Sequence, residues 1–142
     1  MFQDILVVCI GNICRSPLAA ELLQQSLPEC NVSSGGLSPL LGHDTHPLTR
    51  EVALAAGLEL PPHMASPLTA ARVMTADLIL VMTANQRQVI AQRYPFALGK
   101  VFLLAANDVP DPYGQSRTVF EDVHQQVVQA TSNWCLRLRN MR

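Results

Sequence analysis

The chain has 142 residues, 49% of them apolar and 15% charged, with a formal net charge of −1. That balance fits one globular domain over residues 1–142 with room for a sizeable core, and excludes a disordered chain. It leaves no basic footprint for nucleic acid, and no apolar run nears the ~20 residues of a membrane span.

In chain order, Phe2 to Cys9 reads as a first strand, near-continuously apolar from Ile5 and therefore covered on both faces. A short loop, Ile10 to Cys14, follows it. Ser16 has the chemistry of an N-cap, and Pro17 suits a first helical turn, where its missing N–H is no loss. A helix is expected over Leu18 to Leu27, with Leu18, Leu22 and Leu23 at core spacing and Pro28 as its stop. Asn31 to Gly36 is a second short strand, and Leu37 to Pro47 a loop long enough to be functional. Thr49 to Gly57 carries a cap, a helical pattern and a terminating glycine, and Leu68 to Thr75 forms another short helix.

Asp77 to Met82 is a third strand. Thr83 caps a helix from Ala84 to about Arg93, and Lys100 to Leu104 is the fourth strand. The stretch AANDVPDPYGQS is too rich in Pro, Gly and Asp for regular structure. Thr118 to about Leu138 reads as a final amphipathic helix, with Phe120, Val123, Val127, Val128 and Trp134 facing the core. Strands alternating with helices predict an α/β fold: a four-stranded parallel sheet with helices on both faces and a ligand site at the strands' carboxyl ends.

The chemistry concentrates after the first strand. Cys9 ends the strand, Arg15 begins the helix, and five residues separate them. The N–H groups of this loop and the helix N-terminus converge on one spot that favours an anion. Helix N-termini and neighbouring cations bring cysteine thiols from about 8.5 into the range of roughly 3.5 to 7.5, so Cys9 is expected to be held as thiolate. A thiolate so placed attacks phosphorus while Arg15 grips two phosphoryl oxygens, and the loop donors stabilise the developing charge without a metal or cofactor. Ser16 is placed to donate its hydroxyl to the sulfur. Gly11 and Asn12 both tolerate the positive φ that a loop curling round an anion demands. Ile10, Ile13 and Cys14 complete the phosphate-binding loop.

An alkoxide or phenoxide leaving group also needs a proton, and the donor candidates are Asp108 and Asp111. Asp111 is the more promising, because Pro112 fixes the backbone after it and Tyr113 can wall the mouth and stack on an aromatic substrate. The same carboxylate can later activate water. Four cysteines in all, with no CxxC pair, weaken zinc and thioredoxin-like alternatives. No signal peptide is read at the N-terminus, and a cytoplasmic chain with reduced thiols is the expectation.

CIGNICRSP, then AAELL, SSGG, DLILVMT, GKVFLL and VPDPYG, resembles the low-molecular-weight protein tyrosine phosphatase family over nearly the whole chain. The resemblance implies phosphotyrosine hydrolysis through a cysteinyl phosphate. It makes Cys9 the nucleophile, Arg15 the phosphate clamp and Asp111 the general acid and base. Asn12 and Ser16 match loop-shaping and thiolate-stabilising positions, and Cys14 the cysteine that traps an oxidised nucleophile as a disulfide. His63 matches a histidine that supports the loop. Two departures stand out. Family members often carry an Ala-Arg pair shortly after that histidine, where this chain has Ala65-Ser66. The stretch Leu37 to Pro47 also lacks an aromatic residue beside the site, which leaves Leu40 as the wall. This pattern is similar to bacterial members paired with tyrosine kinases of exopolysaccharide export, so the implied partners are a phosphotyrosine-containing protein and a cognate kinase. An arsenate reductase of the same fold and a non-catalytic phosphate or thiol-redox sensor remain as alternatives. The first needs relay cysteines that Asn31 to Trp134 does not contain, and the second has no use for Asp111.

Overall fold

The computed structural model describes residues 2–141. Its strands are β1 (Asp4–Cys9), β2 (Asn31–Gly36), β3 (Leu78–Val81) and β4 (Val101–Leu103), all parallel in the order β2-β1-β3-β4. The helices are α1 (Arg15–Ser26), α2 (Pro47–Ala55), α3 (Ala70–Thr75), α4 (Ala84–Arg93) and α5 (Arg117–Asn140), and a 3₁₀ turn spans Pro95–Lys100. Side chains alternate along a strand, so β1 feeds two cores. Ile5, Val7 and Cys9 pack with α1 and α5, whereas Leu6 and Val8 pack with Val73 of α3 and Ile90 of α4. Both faces are covered, which is why β1 and β3 read as unbroken apolar runs.

β1 pairs with β2 on one side and β3 on the other, Val8 standing opposite both Gly35 and Val81. Chain direction across the sheet therefore reverses beside the end of β1, the place where open α/β sheets hold their ligands. The loop after Cys9 lies there.

Several boundaries shift for local reasons. β1 starts at Asp4, and Asp77 Oδ2 accepts from the N–H groups of both Gln3 and Asp4 at 2.9 Å. Those two bonds hold the Asp77 carboxyl below its ordinary range. α1 starts at Arg15, so Ser16 lies within its first turn and is no N-cap; Cys14 holds that place without a side-chain bond. α2 starts at Pro47, and the cap is the imidazole of His46, whose Nδ1 accepts from Leu48 N–H at 3.1 Å. Thr49, expected to cap, is instead buried in the helix. Val128 is a second correction: it is 38% exposed, because it sits one residue, about 100° of helix rotation, past Val127 on the core line. The Thr83 cap and the Ala84–Arg93 helix stand as expected, with Thr83 Oγ1 accepting from Gln86 N–H.

Close packing where β2 meets the loop admits no side chain at Gly36. A Cβ there would lie 2.6 Å from the Ile10 carbonyl oxygen and 3.1 Å from Asn12 Cβ. Gly36→Ala is therefore expected to cost about 1–3 kcal/mol, the usual penalty of overpacking, and to lower turnover because the displaced backbone belongs to the loop. Thermal melting beside a phosphatase assay checks this; an unchanged melting temperature and unchanged turnover would show that the loop gives way freely.

Candidate active site

The loop after β1 is held from outside by its carbonyls. Those of Cys9, Ile10 and Gly11 accept from the N–H groups of Leu37, Ser38 and Leu40 at 3.0–3.1 Å, and that of Ile13 from His46 N–H at 2.8 Å. The carbonyl of Asn12 accepts from His63 Nε2 at 2.7 Å, which assigns the ring its Nε2–H tautomer. In a planar trans peptide the N–H points opposite to the C=O. Five consecutive carbonyls bonded to partners outside the loop thus turn the N–H groups of Ile10 to Cys14 away from those partners, to the loop's inner side. Asn12 makes the turn possible with a φ of +59°, the one left-handed non-glycine among the described residues. Gly11, expected to share that conformation, does not adopt it.

Asn12 is fully buried and its amide is used at both ends. Oδ1 accepts from Ser66 N–H at 3.0 Å, and Nδ2 donates to Ser16 Oγ at 2.8 Å and to Ser34 Oγ at 3.0 Å. The Ser16 hydroxyl in turn lies 2.9 Å from Cys9 Sγ. Because Ser16 Oγ already accepts from Asn12, its own proton is free to point at the sulfur. The serine read as a cap is thus spent on the thiol.

Arg15 is 3% exposed. Its Nη1 donates to the Val109 carbonyl at 2.8 Å, and Nη2 lies 3.6 Å from Asp111 Oδ2. Its Nε, equally buried, has no hydrogen-bond partner among the described residues. Asp111 accepts from Tyr113 N–H at 3.1 Å, the local turn that Asp-Pro favours, and its carboxyl is half-exposed at the rim. Asp108 is taken elsewhere: its Oδ1 accepts from Ala84 N–H at the start of α4.

Cys9, Ile10, Gly11, Ile13, Cys14, Arg15, Asp111, Leu40 and Tyr113 line one cavity of about 200 Å³, whereas Asn12 and Ser16, both expected at the phosphate, are fully buried and do not line it. Leu40 and Tyr113 flank it, 37% and 54% exposed. The Tyr113 ring is braced edge-on by His46, which also packs on Phe120. Cys14 is buried beside the cavity and its thiol is pushed up to about 12, first by burial and then by Cys9 and Asp111; Thr49 and Arg15 oppose this. Sequence reasoning did not find Val109, which acts through its backbone, nor Ser34, Ser66 and His46. Only His46 left a signal, as a polar residue directly before the helix-starting Pro47.

Together these features define an α/β protein in which a thiol, a guanidinium and a carboxylate line one cavity at the end of β1. A family model described as low molecular weight phosphotyrosine protein phosphatase matches residues 4–142. The chain is 43% identical to the probable low molecular weight protein-tyrosine-phosphatase EpsP of Ralstonia nicotianae, over 98% of each chain. The tyrosine phosphatase Wzb from Escherichia coli K30, solved with sulphate, superposes with a TM-score of 0.94 at 37% identity, over 97% of this chain and 99% of that one. Wzb of Vibrio vulnificus, solved with benzylphosphonate, gives a TM-score of 0.92 at 36% identity over 96% and 99%. The chain belongs to the low-molecular-weight phosphotyrosine protein phosphatase family. The arsenate reductase and non-catalytic sensor alternatives give way to a phosphatase.

A thiol whose proton leaves only near pH 12 stays neutral at ordinary pH. Between about pH 6 and 9 a haloacetamide is therefore expected to alkylate Cys9 and spare Cys14, as read by peptide mass mapping. Equal labelling of the two cysteines would contradict the arrangement.

Proposed function

We propose that this phosphatase works through Cys9 as nucleophile, Arg15 as phosphate clamp and Asp111 as proton donor and acceptor. The observation that carries this is the shared cavity, lined by Cys9, Arg15 and Asp111, beside a loop whose carbonyls from Cys9 to Ile13 are all bonded on its outer side. The Cys9 thiolate attacks phosphorus in line, and the P–O bond to the leaving group breaks. Asp111 gives its proton to the departing phenoxide oxygen. Arg15 and the amides of Ile10, Gly11, Asn12, Ile13 and Cys14 hold the equatorial oxygens, so charge spread over them meets donors already in place. Asp111, now a carboxylate, takes a proton from water as that water attacks the cysteinyl phosphate. The P–S bond breaks, Ser16 donates to the leaving sulfur, and inorganic phosphate departs.

Leu40 and Tyr113 would clasp a substrate ring between them. A cleft with the reactive thiol at its floor suits an aryl phosphate better than the shorter phosphoserine. We infer that the substrates are tyrosine-phosphorylated proteins, among them a cognate bacterial tyrosine kinase or other proteins of exopolysaccharide production. The non-aromatic wall at Leu40 supports that choice. Cys14 is proposed to trap an oxidised Cys9: its sulfur displaces hydroxide from the Cys9 sulfenic acid, the Cys14 proton leaves with it as water, and a disulfide results. A thiol held neutral makes that step slow at neutral pH. A reducing, cytoplasmic setting goes with a nucleophile that must stay a free thiol.

Turnover of phosphotyrosine and phosphoserine peptides by wild type, Cys9→Ser and Asp111→Asn tests the proposal. Wild type is expected to prefer phosphotyrosine. Cys9→Ser should lose turnover yet still bind phosphate, and Asp111→Asn should be slower by roughly 100- to 10,000-fold, the usual size of a general-acid contribution. Equal rates in all three proteins would end it.

A further inference from the structure

One guanidinium outside the cavity is linked to the active-site loop by hydrogen bonds through two shared residues, Ser34 and Ser66. Arg72, in α3, is half-buried. Its Nη1 donates to Ser66 Oγ at 3.1 Å and to the Pro67 carbonyl at 2.8 Å, and its Nη2 donates to the Ser34 carbonyl at 2.6 Å. Residues 66–67 are thereby pinned to β2. Both anchors lead to Asn12, since Ser66 N–H donates to its Oδ1 and Ser34 Oγ accepts from its Nδ2. β2 makes room for the guanidinium with a glycine: a Cβ on Gly35 would lie 2.9 Å from Arg72 Nη1.

We propose that Arg72 is a positioning residue for the Cys9 thiolate, acting through Ser66, Ser34 and Asn12. The logic lies in donor and acceptor types. A backbone N–H only donates, so the fixed Ser66 N–H forces the oxygen of the Asn12 amide to face it. The Asn12 NH₂ must then face Ser16 and Ser34, Ser16 Oγ becomes an acceptor, and its own proton is left for the sulfur. Without the clamp on both flanks of Asn12 the amide loses its fixed sense, and with it the donor to Cys9. The guanidinium fork suits this task because one rigid planar group reaches three oxygens, which an ammonium on a flexible stem does not. It stands against Ser66, the position where the sequence has no arginine of its own.

The proposal rests on Cys9 acting as a thiolate nucleophile, and the test separates the two. The pH dependence of iodoacetamide alkylation of Cys9 is measured beside kcat and KM for p-nitrophenyl phosphate, in wild type, Arg72→Met, Arg72→Lys, Asn12→Ala and Asn12→Ala combined with Arg72→Met. Arg72→Met is expected to raise the alkylation midpoint by about 0.5 to 1 pH unit, the size of one weakened hydrogen bond, and to lower kcat about tenfold. KM should stay within about twofold, because the phosphate's own donors are untouched. Arg72→Lys should fall between, and Arg72→Met should add nothing once Asn12 is alanine. A wild-type midpoint and kcat in Arg72→Met would overturn the proposal even if the melting temperature drops; so would full additivity with Asn12→Ala. If Arg72→Met yields no folded protein, Arg72→Lys decides by the same readouts. Alkylation needs no phosphoester turnover, so a chain inactive in every form would contradict the proposed function while leaving Arg72 testable.

Discussion

The site depends on which way a handful of peptide units face. A chain leaving a buried strand would ordinarily satisfy its carbonyls and amides alike, yet here the carbonyls of Cys9 to Ile13 are all claimed by Leu37, Ser38, Leu40, His63 and His46 from outside the loop. Peptide planarity does the rest, turning the N–H groups into the cup. The left-handed Asn12 is the strained point in this arrangement, and its side chain is bonded at both ends to hold it there. Because the donors are backbone groups fixed by other backbone groups, little has to reorganise when charge develops on a bound phosphoryl group.

Arg15 adds a second constraint of the same kind. A buried guanidinium is retained only where protein groups fix its position, and Arg15 is 3% exposed. Val109 and Asp111 hold two of its nitrogens and so fix the fork's orientation. Asp111 gains from the same contact: its carboxyl is kept over the cavity by Arg15 on one side and by its own turn to Tyr113 N–H on the other.

What was legible in the sequence is what is local. An apolar run, a short loop with Gly11 and Asn12 and a helix start announce the strand, cup and helix, and the Asp-Pro-Tyr turn announces the acid loop. The misreadings share a cause. Ser16 follows the rule for a cap, but the rule assumes that the hydroxyl serves its own helix, and here the Cys9 sulfur and Asn12 compete for it. Gly11 is permitted a left-handed conformation without being driven into one, whereas Asn12 is held in it by tertiary bonds. Ser34, Ser66 and Arg72 left no trace, because their contact is set by how β2, the 61–67 segment and α3 meet in space. Val109 is more hidden still: any residue could offer that carbonyl to Arg15.

The account stands or falls on the sulfur of Cys9 forming a bond to phosphorus. Rapid acid quenching during turnover of a phosphotyrosine peptide, followed by mass mapping, measures this directly. The predicted result is one phosphoryl group on the peptide that contains Cys9, rising and decaying within the turnover time. A phosphoryl group on any other side chain, or undiminished turnover with no covalent adduct at any time point, would contradict it.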